Sequence, residues 1–133
     1  MNTDFVTTAI AIVLDVAEHA TKEKAVARHD ICARHGWNKR RAEPVLQVLA
    51  SAGILNGVRG PAGGYRIATE SWTDTTLADV GRVALSVSRI EPGAEKIKDA
   101  AVSSSIGEAA EREYWSFLQR ITIEAADHAR IGG

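Results

Sequence analysis

The sequence has a single cysteine, Cys32, which excludes a disulfide framework within these 133 residues and fits a reducing, cytoplasmic setting. It has no apolar run near the roughly 18 residues of a membrane span. Its most apolar segment, Phe5 to Ala17, is interrupted by Thr7, Thr8 and Asp15. The opening residues, Met1 to Asp4, carry no basic side chain, unlike the leader of a signal peptide. Repeats and low-complexity tracts are absent. So is any nucleophile set beside a base, or a cluster of acids and bases, and no enzyme is expected. A net charge of only −1 argues, taken alone, against a polyanion binder.

The distribution of that charge argues the other way. Between Arg28 and Arg66 stand Arg28, Arg34, Lys39, Arg40, Arg41, Arg59 and Arg66 against Asp30 and Glu43. The remainder of the chain is acidic in balance. A basic segment on an acidic body is the footprint expected of a nucleic-acid-binding head on a non-binding frame. A solvated charged face is the alternative, and the coincidence of these charges with a helix and a hairpin favours binding.

The hairpin is the most distinctive stretch, Val58-Arg59-Gly60-Pro61-Ala62-Gly63-Gly64-Tyr65-Arg66. Apolar, β-leaning flanks, Ile54 to Val58 and Tyr65 to Ile67, enclose a Gly/Pro run that supplies a tight reversal. No Gly-Lys-Ser/Thr is present, and a strand follows where a phosphate-cradling loop would open a helix. An arginine at each end, with no acid nearby in sequence, suits a tip that enters a phosphate-lined groove.

Upstream, Phe5, Ala9, Ile12, Val13, Val16 and Ala20 give a first helix with an apolar stripe broad enough to be covered from two sides. Val26 to His35 reads as a short second helix stopped by Gly36. Asn38 is a good N-cap for a third, whose apolar face is Val45, Leu46, Val48, Leu49 and Ala52. Pro44 leaves two arrangements open: a helix that begins after Asn38 and holds the proline in its interior, or one that begins late, with Pro44 first. Downstream, Ser71 to Thr75 reads as loop. Thr76-x-x-Asp79 caps a helix running through Val87, and Glu91-Pro92-Gly93 breaks the chain. Ala94 to Val102 is a weak helix. Ser105-x-x-Glu108 starts a long helix to about Arg130, with the stripe Ala110, Tyr114, Phe117, Leu118, Ile121 and Ala125.

The hairpin motif resembles the wing of the bacterial Rrf-type winged-helix regulators. The resemblance extends upstream through Ile31 to Gly53, downstream through Thr76 to Val80, and returns at Phe117-Leu118-x-x-Ile121-Thr122. It implies a mainly α fold with a small β-hairpin: a winged helix-turn-helix over 1–88, then a linker and dimerisation helix over 89–133, packed as one compact unit. It implies a homodimeric regulator, read as a repressor, of a double-stranded DNA operator. Asn38, Lys39, Arg40, Arg41, Glu43 and Gln47 would then lie at the major groove, and Arg59 would enter the adjacent minor groove. Gly60, Gly63 and Gly64 would let the backbone approach. Tyr114, Phe117, Leu118 and Ile121 would form the dimer interface, with long helices crossing between subunits.

One departure is plain. Cluster-binding relatives carry three cysteines ahead of the long helix, whereas Val87 to Ile106 here contains none. A conventional iron–sulfur cluster needs thiolates, so no cofactor is expected and the effector stays unassigned. His29-x-x-Cys32-x-x-His35 offers at most half of a metal site, and Cys32 is the candidate for a thiol redox switch. The rival functions are a winged-helix module that binds protein and never DNA, and a small-molecule sensor with a ligand near Trp72 or Trp115.

Overall fold

A computed structural model of the chain describes residues 4–21, 23–90 and 105–132. Helix α1 (Asp4–His19) is the central strut. Val6, Ala9, Ile12, Val13 and Val16 recur at intervals of three and four residues and are fully buried, so one face is apolar along its whole length. That face is covered by this chain's own elements: α5 (Leu77–Ile90) lies along it, with α3 (Lys39–Ser51) and α7 (Ile123–Gly132) beside it.

The second helix, α2 (Arg28–His35), begins two residues later than the periodicity predicts. Val26 is instead held in a β-bridge, exchanging backbone hydrogen bonds of 3.0 and 2.8 Å with Tyr65. Gly36 ends α2 in the left-handed conformation at φ 68°, where a Cβ would be strained. Helix α3 follows at once: Asn38 Oδ1 accepts from the Arg41 N–H at 3.1 Å, and Pro44 lies inside the helix. The early start is therefore the one adopted. Ala42, Val45, Leu46 and Leu49 are buried against α1 and α5.

Strands β1 (Leu55–Val58) and β2 (Gly64–Ile67) pair antiparallel in the register Leu55↔Ile67, Asn56↔Arg66, Gly57↔Tyr65 and Val58↔Gly64. Gly64 is required twice over. Its φ is 151°, and a Cβ there would stand 2.2 Å from the Val26 carbonyl oxygen. The hairpin is thus clamped against the strand-like residue ahead of α2, while Tyr65 packs on the core.

Beyond the hairpin, the segment read as loop is helical: α4 (Thr69–Asp74) occupies it. The Thr76/Asp79 capping box forms in both directions, at 3.0 and 3.1 Å. The expected long terminal helix is two helices, α6 (Ser105–Gln119) and α7. Between them Thr122 bridges to Thr76, the Leu77 N–H donates to Ile121 O at 2.8 Å, and Ile123 N–H donates to Thr75 O at 3.0 Å. Those tertiary bonds replace helical ones, and Thr122 Oγ1 accepts from Ala125 N–H at 3.1 Å to start α7 afresh. The redirected α7 docks on α1 and α4, with Ile123 fully buried, so this end of the chain packs on its own core. The weak helix expected at Ala94 to Val102 lies outside the described residues.

Candidate nucleic-acid interface

Helix α2, the Gly36–Asn38 turn and α3 form a helix-turn-helix, and the β1–β2 hairpin stands as its wing. The first turn of α3 carries Lys39, Arg40 and Arg41 and no acidic residue. This is the end of a helix where the backbone dipole is positive, so three cations there are unfavourable unless an anion joins them. Lys39 and Arg40 are exposed, and neither makes a hydrogen bond or ion pair among the described residues. Arg41 is more constrained: its Nη2 lies 3.1 Å from Asp4 Oδ1, and its guanidinium lies 5.1 Å from the Trp37 ring centre. Gln47 is exposed on the same helix.

Glu43 faces Arg28, with 3.6 Å between Nη1 and Oε2. Arg28 also lines a groove with Arg59, Gly60, Gly63 and Gly64, so this one side chain joins the reading helix to the wing. Among the described residues Arg59 is exposed on the wing loop with no partner. Arg66 is not a second free guanidinium, contrary to the expectation from sequence. It sits within β2 opposite Asn56, and its Nη1 donates to the Thr21 carbonyl oxygen, tying the hairpin to the end of α1.

Behind the turn lies a polar cluster that sequence reasoning missed. Asp15 is 6% exposed in the apolar stripe of α1. Arg34 grips it with both arms, Nε to Oδ2 at 2.9 Å and Nη2 to Oδ1 at 2.6 Å, and His35 Nε2 lies 3.1 Å from Oδ2. Burial pushes the carboxyl upward, but the Arg34 hydrogen bonds and charge, with His19 and His35, outweigh it and hold Asp15 below its ordinary value. His35 stacks on Trp37, with ring centres 4.4 Å apart and planes 17° from parallel.

Cys32 is buried, its Sγ 3.9 Å from Asn38 O, inside the hinge of the helix-turn-helix. His29 is turned outward, 3.3 Å from Asp30, and no three His, Cys, Asp or Glu side chains converge among the described residues. In the C-terminal part the four interface candidates divide. Phe117 is 55% exposed, and Ile106, about three turns upstream, is 81% exposed. Leu118 is buried with Val6, Leu77 and Ala78, while Tyr114 and Ile121 are half-buried against that cluster. Trp115 lines an open cleft between α5 and α6 with Arg82, Leu85 and Glu111, and Trp72 meets His128 edge-on.

Comparison with known proteins assigns this arrangement. A family model described as Rrf2, iron-dependent transcriptional regulator, matches residues 2–126. An HTH-type transcriptional regulator IscR of Vibrio vulnificus is 38% identical over 65 residues, which span 49% of this chain and 38% of that relative. The IscR of Aliivibrio salmonicida is 42% identical over 59 residues, 44% of this chain and 34% of that one. The chain thus aligns with well under half the length of these relatives. Among solved structures, T. potens IscR superposes with a TM-score of 0.66 at 28% identity, covering 100% of this chain and 88% of that one. CymR of B. subtilis, the global cysteine regulator, gives 0.69 at 19% identity over 97% and 96%, a likeness of fold.

Proposed function

The chain belongs to the Rrf2 family of transcriptional regulators, and from that premise we propose that it is a homodimeric repressor that reads duplex DNA with α3 and the wing. The observation that carries the reading is the first turn of α3, where Lys39 and Arg40 stand unpaired at the positive end of a helix dipole. Phosphate supplies the missing anion, and base edges in the major groove supply acceptors for arginine. Asn38, Lys39, Arg40, Arg41, Glu43 and Gln47 make up the groove-facing surface. Arg59 reaches the neighbouring minor groove, where it responds to width rather than to base identity. Gly60, with open space at its Cβ position, keeps that approach free of a side chain, while Gly63 and Gly64 shape the hairpin, since a Cβ on either would stand 2.2 Å from a carbonyl oxygen of this chain, Val58 or Val26.

Dimerisation follows from α6. The stripe Tyr114, Phe117, Leu118 and Ile121 pairs with its symmetry mate, with Phe117 leading because its ring is open while Leu118 is seated in its own chain. A two-fold dimer places two wings and two reading helices on a symmetric operator. Repression needs only occupancy of that operator, which these surfaces suffice to provide. Residues 1–88 act as the reading unit and 89–133 as the pairing unit.

Iron, named in the family's description, does not fit the described residues. Cys32 is the one cysteine of these 133 residues and is enclosed at the helix-turn-helix hinge. Glu91, Glu95 and Asp99 lie outside the described residues. No step of the proposed function runs through a metal.

Selecting duplexes from a random pool tests the reading. A palindromic or pseudo-palindromic consensus, bound by a dimer and weakening steeply with salt, is the expected result. Failure to enrich any duplex would leave the protein-binding alternative in its place.

A further inference from the structure

Helix α1 carries a carboxylate where its apolar stripe calls for a hydrophobic side chain. Asp15 is enclosed, yet it is fully engaged: Arg34 holds both oxygens at 2.9 and 2.6 Å, and His35 Nε2 lies 3.1 Å from Oδ2. The His35 ring stacks on Trp37 at 4.4 Å, and the Arg41 guanidinium lies 5.1 Å from the Trp37 ring centre. The end of α2, the turn, and the first turn of α3 are therefore linked side chain to side chain back to one group on α1.

We infer that Asp15 is a positioning residue for the DNA-reading end of α3, acting through His35 and Trp37 on Arg41. The inference rests on the proposed DNA-binding role. Packing alone does not require this arrangement, because well-fitted apolar residues commonly replace a buried ion pair without loss of stability. What apolar residues cannot do is fix the orientation of the His35 ring, and through the stack that of Trp37. Without that, the turn is held by the Gly36 cap and by the Trp37 N–H to Cys32 O hydrogen bond at 2.9 Å, which constrain the backbone, and the indole is held only by its partial packing on the core.

Charge and positioning predict opposite signs. Removing a negative charge from a DNA-binding protein strengthens its attraction for phosphate, whereas releasing the stack misplaces Arg41. Asp4 supplies the control, being an exposed acid 3.1 Å from the same Arg41 but outside the stack. The 133-residue chain, labelled with fluorotryptophan, is compared as wild type, Asp15→Asn, His35→Ala and Asp4→Asn. Affinity for a duplex selected from a random pool is read by anisotropy, and the free protein by fluorine NMR, with the Trp37 resonance assigned through Trp37→Phe. Asp15→Asn is expected to bind about tenfold more weakly, on the scale of about one arginine–base pairing. Its Trp37 resonance shifts while those of Trp72 and Trp115 stay in place. His35→Ala keeps the Asp15–Arg34 pair and cuts only the link to the stack, so it gives the same loss even if Asp15→Asn does not fold. Asp4→Asn binds as tightly as wild type or tighter. Wild-type affinity in His35→Ala, or in folded Asp15→Asn, or an unmoved Trp37 resonance in either, overturns the positioning role. A wild type that binds no duplex overturns the DNA-binding reading, and this inference with it.

Discussion

Helix α3 buries Ala42, Val45, Leu46 and Leu49 and turns Lys39, Arg40 and Gln47 outward; helix α6 buries Leu118 and turns Ile106 and Phe117 outward. Both are amphipathic, α3 with its apolar face in the main core and α6 with Leu118 in a second cluster formed with Val6, Leu77 and Ala78. Their open faces differ in kind. On α3 the exposed groups are cations at the positive end of the helix, stabilised only when an anion arrives. On α6 they are apolar groups in water, stabilised only when another apolar surface arrives. The two helices show how one small chain can carry two exposed faces of different chemistry, one cationic and one apolar.

The largest effect should come from breaking the α6 side. A fully buried phenylalanine contributes about 1.5–3 kcal/mol, and a two-fold interface buries it once from each copy. Phe117→Asp should therefore convert dimers to folded monomers at micromolar concentration in light scattering, with circular dichroism unchanged. Wild type already monomeric there would remove the contrast between the two faces.

Pro44 distinguishes the helices differently, since α3 holds an interior proline and α6 has none. It gives up an N–H and crowds the Arg40 carbonyl, a cost of up to about 3 kcal/mol relative to alanine. Pro44→Ala should raise the melting temperature by several degrees or more. An unchanged value would mean that the helix effectively starts later than Lys39.

On the α3 face, Arg40→Ala should cost about 1–3 kcal/mol at one base position in each half-site and leave the others alone. Competition between duplexes altered one base pair at a time measures this. A uniform loss across positions would demote Arg40 to a phosphate contact. Arg59→Ala should show the smaller and complementary effect: weaker binding to every duplex, a salt slope lower by about two, one contact from each wing, and intact base discrimination. Unchanged affinity and unchanged slope would mean that the hairpin does not touch DNA.

Much of the α3 side was legible from the sequence because its determinants are local. The Gly/Pro run between β-leaning flanks specifies the wing. Asn38 marked one of the two starts open to α3, the one the structure adopts, and Thr76 with Asp79 specifies the start of α5. The α6–α7 side was less legible. The break at Arg120 to Thr122 carries no glycine or proline, and the apolar stripe runs through it unbroken. Its cause is backbone pairing with Thr75 to Leu77, some forty residues away in sequence. Helix α4 is six residues long, too short to display a period. The Asp15 cluster was invisible for a related reason. Its members lie 19 and 20 residues apart, so the sequence showed Asp15 only as an interruption of an apolar helix.

The central claim is that the cations of α3 and the wing form one phosphate-engaging surface. The most direct measurement is the salt dependence of affinity for a selected duplex, compared between wild type and the triple variant Lys39→Ala, Arg40→Ala, Arg59→Ala. Each cation withdrawn from a phosphate should lower the log–log slope by about 0.9, and a dimer loses every contact twice, so the triple variant should fall short of wild type by between about four and five units while remaining a folded dimer. A triple variant with the wild-type slope would contradict the account.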